Sequence, residues 1–216
     1  MRASMEAADT TRERPMTASN RFMVGLWGLT SLLILAFQSS AQSEDLVIVY
    51  EKPDVDLSHY RQILVTPLNL ENTRLVPPPW VENADPKLWS LTPENRAFLR
   101  DAFASSMRAG IEAGGKFQVT TEAAPGALQI EVHLVSLTPW AARGEEAETL
   151  GSGQLTFEAY VRDSQTADML ALFKGTQQVG QDYQENTEFN KASGLTEHFT
   201  NWGRNVSRRL AARQAP

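Results

Sequence analysis

The stretch LQIEVHLVSL, residues 128–137, decides the fold class because its side chains alternate in character. Its even-numbered positions as far as 134 are apolar, and Gln129, Glu131 and His133 stand between them. This two-residue period predicts a strand with one buried face. Residues 153–162, GQLTFEAYVR, repeat the pattern. The two stretches therefore predict strands that share a core face and direct polar side chains away from it.

Two amphipathic helices accompany the strands. The first begins at Thr92, where a capping hydroxyl is followed by Pro93 and by the acidic Glu94, and it is expected to end near residue 113, before two glycines. The second lies near the C-terminus. Apolar side chains recur at helical spacing in both, and they are Leu99, Phe103, Met107 and Ile111 in the first helix and Leu195, Phe199, Trp202, Val206 and Leu210 in the second.

The order of these elements predicts an α+β fold. Further β-rich runs occur at residues 46–50, 61–70, 116–122 and 168–179, and most are joined by short links. Short links favour antiparallel pairing, so we expect a largely antiparallel sheet of about five or six strands with both helices packed on one face. A single domain is predicted over residues 42–216, with its core at about 46–212.

The N-terminal part of the chain, residues 1–41, has the pattern of an extension followed by a secretory signal peptide. Residues 22–37 carry no charge, arginines precede them, and small residues follow. Cleavage after Ala41 or Ser43 fits this pattern, and Met16 is a plausible start of translation. The prediction is export to the periplasm. An uncleaved inner-membrane anchor is the alternative, although the apolar run is shorter than the roughly 20 residues of a spanning helix.

Composition excludes several classes of function. A formal net charge of −6 over 216 residues gives no basic field for nucleic acid. The chain has no cysteine, which excludes disulfides, thiolate metal sites, a cysteine nucleophile and the cysteine-linked lipid anchor of bacterial lipoproteins. No cofactor motif is present, and we expect no cofactor and no membrane span after signal cleavage.

The segment DSQTAD, residues 163–168, has two interpretations. Asp163, Ser164 and Thr166 follow the second alternating strand, and such side chains bond to nearby backbone N–H groups, so they are predicted to form a structural turn. The alternative is a periplasmic hydrolase that uses Asp163 with Ser164, or the pair of Glu131 and His133. No recognised motif supplies a histidine base for the serine, and two ligands do not make a metal site.

Two surfaces are candidates for contact with a partner, which we expect to be another protein of the cell envelope. The first is the proline-rich strap with Trp80 and Trp89. The alternative is that both tryptophans fold back and cover one end of the sheet. The second is the polar strand face, and its candidate residues are Glu131, His133, Glu158 and Tyr160. His198 is predicted to lie on the surface of the second helix.

Three segments resemble one bacterial envelope family, domain of unknown function 3313. They are VYEKPDVDLSHYRQILVTPLNL at 49–70, FEAYVRDSQTADMLALF at 157–173 and FTNWGRNVSRRL at 199–210. The resemblance implies a relation to predicted lipoproteins of Gram-negative bacteria, but no activity, ligand or catalytic residue. Ala167 stands where the family usually has glycine, which predicts that this position has no positive φ. The expected function is a non-enzymatic binding or assembly module of the envelope.

Overall fold

A computed structural model describes residues 46–214. The predicted signal peptide, the cleavage positions after Ala41 and Ser43, and the start at Met16 lie outside these residues. The helices are α1 (Pro93–Glu112) and α2 (Glu188–Arg213). The strands are β1 (Val47–Glu51), β2 (Gln62–Val65), β3 (Arg74–Leu75), β4 (Gln118–Thr120), β5 (Ala127–Pro139), β6 (Glu148–Leu150), β7 (Gly153–Asp163), β8 (Met169–Val179) and β9 (Tyr183–Glu185).

The main sheet is mixed, so the prediction of a largely antiparallel sheet is wrong, although the α+β class is confirmed. Seven strands form it, in the order β1-β8-β7-β5-β2-β4, with β3 beside β5. β2 runs parallel to both β4 and β5, and β3 runs parallel to β5. The connection from β2 through α1 to β4 is a crossover, which returns the chain in the same direction. β4 and β5 then lie on opposite sides of β2, although they follow each other in sequence.

The alternating strands bury the predicted face against both helices. β5 and β7 pair antiparallel over nearly their whole length, and Ile130 and Val132 lie opposite Val161 and Ala159. These side chains join the apolar stripes of α1 and α2 in one continuous core. A register shift between Leu134 and Ser136 in β5 changes which positions face the core, because Leu134 lies opposite Phe157 and Leu137 lies opposite Leu155. Within residues 46–214, no helix covers the other face of the sheet, whose side chains are largely half-exposed.

Local sequence signals place both helix N-termini. Thr92 accepts a hydrogen bond from the Asn95 N–H, and the Asn95 side chain accepts from the Thr92 N–H in return. Thr187 caps α2 in the same manner through the Asn190 N–H. These bonds satisfy backbone donors that the first turn of a helix leaves without partners. The predicted start and end of α1 are confirmed.

The two helices cross at a pair of glycines that the sequence pattern did not single out. A Cβ atom added to Gly110 of α1 would lie 2.8 Å from the Arg204 backbone nitrogen, and nearer still to the Thr200 carbonyl oxygen. A Cβ atom on Gly203 of α2 would lie 2.5 Å from the Met107 carbonyl oxygen. Only glycine permits backbones to approach so closely. These two residues therefore set the distance between α1 and α2.

His198 is buried, so its prediction as a surface residue of α2 is wrong. Its ring packs 5.1 Å from the ring of Trp202, and its Nε2 has no hydrogen-bond partner within residues 46–214. Burial lowers the pKa of His198 to about 4, because the charged imidazolium would lose its hydration. The residue is therefore neutral in the folded protein at neutral pH.

The buried His198 predicts a stability that depends on pH. An unfolded histidine has a pKa of about 6.5, so its contribution is fully present above that pH and is lost as the pH falls toward about 4. We expect the free energy of unfolding to decrease by about 2 kcal/mol between pH 7 and pH 5. Urea denaturation at a series of pH values measures this. His198→Gln should remove the decrease over that range, and an unchanged slope would contradict the assignment.

Ala167 has a φ of 60° in the turn between β7 and β8, so the prediction that this position avoids a positive φ is wrong. Its N–H donates to the Asp163 carbonyl oxygen at 3.0 Å, which closes the turn. A side chain in this conformation brings Cβ close to the following carbonyl oxygen, and the cost is roughly 1 kcal/mol. The alanine is therefore tolerated at a position whose backbone suits glycine.

Ala167→Gly is expected to stabilise the protein. Relief of the strained φ outweighs the added freedom of the unfolded chain, and we expect a gain of about 0.5 kcal/mol in the free energy of unfolding. Thermal or urea denaturation measures it. Ala123→Gly is the matched control, because Ala123 is an exposed loop residue without a positive φ. The control should lose stability by a similar amount, and equal losses in both variants would disprove the prediction.

Candidate functional site

The predicted polar strand face forms one connected set of side chains, here called the open-face network. β5 and β7 pair so that Glu131 lies opposite Tyr160 and His133 lies opposite Glu158. β8 places Lys174 beside Glu158 in the same way. The four residues predicted on this face are therefore brought together. The network consists of Glu131, His133, Glu158, Tyr160, Arg162 and Lys174.

Hydrogen bonds and ion pairs connect the members of the open-face network. His133 Nε2 lies 2.6 Å from Glu131 Oε1. Tyr160 Oη donates to Glu158 Oε2 at 2.7 Å, and Lys174 Nζ lies 2.7 Å from Glu158 Oε1. Arg162 Nε is 3.9 Å from Glu131 Oε2, and its Cζ lies 5.5 Å from the centre of the Tyr160 ring. Neighbouring charges of opposite sign thus hold the side chains in a fixed arrangement.

Hydrogen bonds within the network determine which of its groups are charged at neutral pH. The pKa of Glu158 is lowered because Lys174 and then Tyr160 donate hydrogen bonds to its carboxylate. The pKa of Tyr160 is raised, first because its hydroxyl donates to Glu158 and second because it is partly desolvated. At neutral pH the carboxylate is ionised and the phenol is protonated. The face therefore presents paired charges of both signs.

Apolar side chains of β1 extend the open face toward one edge of the sheet. Val47 lies opposite Lys174 and Tyr50 opposite Leu172, so they share the face with the network. Their exposed fractions are 55% and 42%. Exposed apolar surface bordering a polar, ordered patch is a feature of protein interaction sites.

Arg162 and Lys174 were missed by the sequence analysis, although a signal for both was present. Arg162 follows Tyr160 by two residues in β7, so it continues the alternate polar positions that Glu158 and Tyr160 occupy. Lys174 lies at one of the alternate positions of β8 that point to the open face. The alternation is harder to see in the sequence of β8 because this strand contains few charged residues. Extending the two-residue period to the strand ends would have included both residues.

The residues of the DSQTAD segment lie where β7 turns into β8. Asp163 Oδ1 accepts hydrogen bonds from the N–H groups of Gln165 and Thr166 at 2.9 and 2.8 Å, and from the Thr166 hydroxyl at 3.2 Å. Its Oδ2 accepts from the Tyr60 hydroxyl at 2.9 Å. The pKa of Asp163 is lowered, chiefly by the Thr166 N–H. The carboxylate is thus an acceptor that orders the turn.

The Ser164 hydroxyl binds the backbone of a neighbouring loop. Its Oγ donates to the Ala124 carbonyl oxygen at 3.0 Å and accepts from the Ala124 N–H at 3.2 Å. Ser164 is buried. A nucleophilic serine instead places its hydroxyl against a base and in reach of substrate. The contacts of Ser164 connect the turn after β7 to the loop before β5.

The strap, residues 76–91, places its two tryptophans differently. Trp80 is 63% exposed, and its ring lies 5.5 Å from that of Trp140. Trp89 is only 8% exposed and packs at one end of the sheet. The two interpretations of the strap thus apply to different residues, since Trp89 covers the sheet and Trp80 remains accessible.

A cavity of about 330 Å³ lies beneath the strap, here called the strap cavity. The N-terminal turns of α1 and α2 border it, together with the ends of β5 and β8. Its lining is mainly apolar and includes Leu75, Trp89, Leu99, Leu137, Val179 and Leu195. Its lining also includes the polar side chains of Asn95, Arg143, Glu188 and Lys191, of which Arg143 and Glu188 are exposed. The exposed side chains indicate that the cavity opens on this side. The sequence analysis did not predict this cavity.

Residues 46–214 contain neither a cluster of metal ligands nor a membrane-spanning helix. Across residues 46–214, no group of three or more histidine, aspartate or glutamate side chains is arranged to hold a metal ion. In the same part of the chain, no helix combines the length and the apolar character needed to cross a membrane.

The fold and the open-face network define an α+β protein whose mixed sheet carries two helices on one face and an ordered polar surface on the other. The chain belongs to the family described as protein of unknown function (DUF3313), which matches residues 29–206. The resemblance found in the three sequence segments is therefore confirmed. A search of curated protein sequences finds no match to this chain.

Several solved structures are similar to this chain at low sequence identity. A PelC dodecamer from Paraburkholderia phytofirmans is 9% identical, with 76% of this chain and 98% of that chain covered and a TM-score of 0.42. Protein XCC0632 of Xanthomonas campestris, from family DUF330, is 13% identical over 76% and 91%, with a TM-score of 0.43. A neuraminyllactose-binding hemagglutinin homologue from Helicobacter pylori is 8% identical over 83% and 93%, with a TM-score of 0.38.

Proposed function

We propose that this protein is an exported, non-enzymatic binding or assembly module of the cell envelope, whose open-face network docks on another envelope protein. The observation that carries the proposal is the network itself, in which five ionisable side chains on three strands form three ion pairs. An ordered pattern of charges favours specificity in recognition because a partner must match its signs and positions. The exposed Val47 and Tyr50 supply apolar area beside it.

Export is part of the proposal and rests on the sequence of residues 22–37 and the small residues after them. The mature module then corresponds to the single domain expected at residues 42–216. We expect mass spectrometry of the periplasmic protein to find Gln42 or Glu44 as its first residue. A first residue at or before Phe22 would instead favour the uncleaved inner-membrane anchor.

The hydrolase alternative receives less support from the geometry. The Ser164 hydroxyl is engaged with Ala124, and the Asp163 carboxylate with the turn and Tyr60. Glu131 and His133 form a close pair in the middle of β5, where they contact Arg162 and Tyr160. These contacts are those of structural and surface ion pairs. A folded Ser164→Ala or His133→Gln variant that lost a measured turnover would favour the hydrolase.

Site-specific photocrosslinking in intact cells tests the docking surface. Tyr160 is replaced by p-benzoylphenylalanine, an aromatic residue that crosslinks to neighbouring chains. We expect one discrete crosslinked product, whose yield falls several-fold when Lys174→Glu places a like charge beside Glu158.

The matched control places the same photoreactive residue at Phe189. This aromatic residue is exposed at the start of α2, away from the open face. It should give little of that product. Equal yields from both positions, or a yield that Lys174→Glu leaves unchanged, would contradict docking through the open face.

A further inference from the structure

We propose that the strap cavity binds the alkyl chain of a free single-chain carboxylate amphiphile, whose carboxylate lies at the opening beside Lys191 and Arg143. The site is separate from the open-face network, because it lies on the helix-covered side of the sheet. The inference is independent of the proposed docking function.

The lining of the cavity specifies an apolar occupant. The side chains of Trp89, Leu99 and Val179 are buried, and they meet there with Leu75, Leu137 and Leu195. Transfer of a hydrocarbon chain from water to such surroundings is favourable in proportion to the apolar area covered. A volume of about 330 Å³ lies at the lower end of the range of ligand sites. It accommodates one chain of medium length, whereas the two chains of a phospholipid require more room.

The opening of the cavity specifies the charge of the head group. Lys191 lies close to the protein, with only 20% of its side chain exposed, and its Nζ is 3.4 Å from Oε1 of Glu188, whose side chain is 71% exposed. An exposed ion pair of this kind is weak, and the ammonium group of Lys191 has three donors, so it can also bind a ligand carboxylate. Arg143 is positioned across the opening because its Nη2 donates to Asn95 Oδ1 at 2.9 Å. Both cations thus lie where the head group of a bound chain would emerge.

The N-terminal ends of α1 and α2 add to the positive potential at the opening of the strap cavity. Asn95 belongs to the first turn of α1, and Glu188 and Lys191 belong to the first turn of α2. The N-terminal ends of two helices therefore meet at one opening, and each carries a partial positive charge. Glu94 and Glu188 lie in these turns as well, but both are exposed to water. A carboxylate bound beside the less exposed Lys191 benefits from both helix ends.

Ligand binding is measured by the fluorescence of Trp89 and by calorimetry on the full protein, below the micelle concentration of each probe. Decanoate is expected to bind saturably at a ratio of one per chain. Decanol, which lacks the charge, should bind about threefold to fivefold more weakly, and decyltrimethylammonium should bind more weakly still. Equal affinity for the three probes would overturn the assignment of a carboxylate.

Variants at the cavity separate binding from folding. Ala192 lines the cavity, so Ala192→Phe should fill it and abolish decanoate binding. Ala104→Phe is the matched control on the exposed surface of α1 and should bind normally. If Ala192→Phe fails to fold, Lys191→Gln still tests the site, because it keeps most of the side-chain volume, should weaken decanoate binding about threefold to fivefold and should leave decanol binding unchanged. Unaltered decanoate binding in either cavity variant would overturn the proposal.

Other occupants give distinct results. Cosedimentation with anionic phospholipid vesicles that Ala192→Phe abolishes would assign the cavity to membrane lipid. A concentration-dependent dimer that the same change abolishes would assign it to a second copy of the chain. Either result would overturn the proposal of a free amphiphile, and neither would alter the crosslinking test of the open face.

Discussion

Gly110→Ala is expected to destabilise the protein by about 3 kcal/mol or more, although alanine favours helix more than glycine does. The added Cβ would meet backbone atoms of Thr200 and Arg204, which cannot rotate away as a side chain can. The helices must therefore separate and loosen the core between them. Urea denaturation followed by circular dichroism measures the loss, which is a large part of the usual total stability. Gly203→Ala should behave similarly because its Cβ would meet the Met107 carbonyl.

Gly194→Ala is the matched control for the helix crossing, since Gly194 also lies within α2. A Cβ atom there would lie 3.0 Å from the Ser152 hydroxyl oxygen, which belongs to a side chain that can move. The gain in helix propensity then remains, and we expect a change close to zero or a small stabilisation. A loss at Gly194 equal to the loss at Gly110 would refute the argument from close backbone contact.

Trp202→Ala is expected to cost about 3 to 5 kcal/mol because it removes the largest fully buried side chain of the core. The indole packs 4.6 Å from the Phe157 ring and 5.5 Å from the Phe199 ring, between the sheet and the helices. Its Nε1 donates to Gln177 Oε1 at 2.7 Å, so the change also removes a buried hydrogen bond.

Trp80→Ala provides the comparison for Trp202, because Trp80 is largely exposed and packs mainly on Trp140. It should cost less than about 1 kcal/mol. Thermal unfolding of both variants measures the difference. Similar losses for the two tryptophans would show that the strap contributes more to stability than its exposure indicates.

Much of the fold was predictable from patterns among residues that are close together in the sequence. The alternation in β5 and β7 predicted which face is buried, because neighbouring side chains on a strand point to opposite sides. Thr92 and Pro93 predicted where α1 begins, since capping depends on a few adjacent residues. The same reasoning predicted that four members of the open-face network share one surface. It did not predict which residues on neighbouring strands they pair with.

The order of the strands and the tertiary contacts were not predicted because they join residues that are far apart in the sequence. Nothing in the sequence of β2 shows that it lies between β4 and β5 or that it runs parallel to both. His198 was misplaced because it follows the exposed Glu197 in sequence, although its spacing of three residues from Leu195 and four from Trp202 puts it beside the apolar stripe of α2. The strap cavity is formed by segments far apart in sequence, so no local pattern indicates it.

The pairing of β1 with β8 has a consequence for how the protein acquires its structure. Val47 pairs with Lys174, so the first strand cannot complete its hydrogen bonds until most of the chain is present. Contacts between residues so far apart slow folding, because a long loop must close before they form. During synthesis the apolar start of β1 stays without its neighbouring strand. We expect the sheet to be completed only after most of the chain has been synthesised, so the unfinished sheet must be protected from aggregation until then. Such late folding is compatible with the export that we propose.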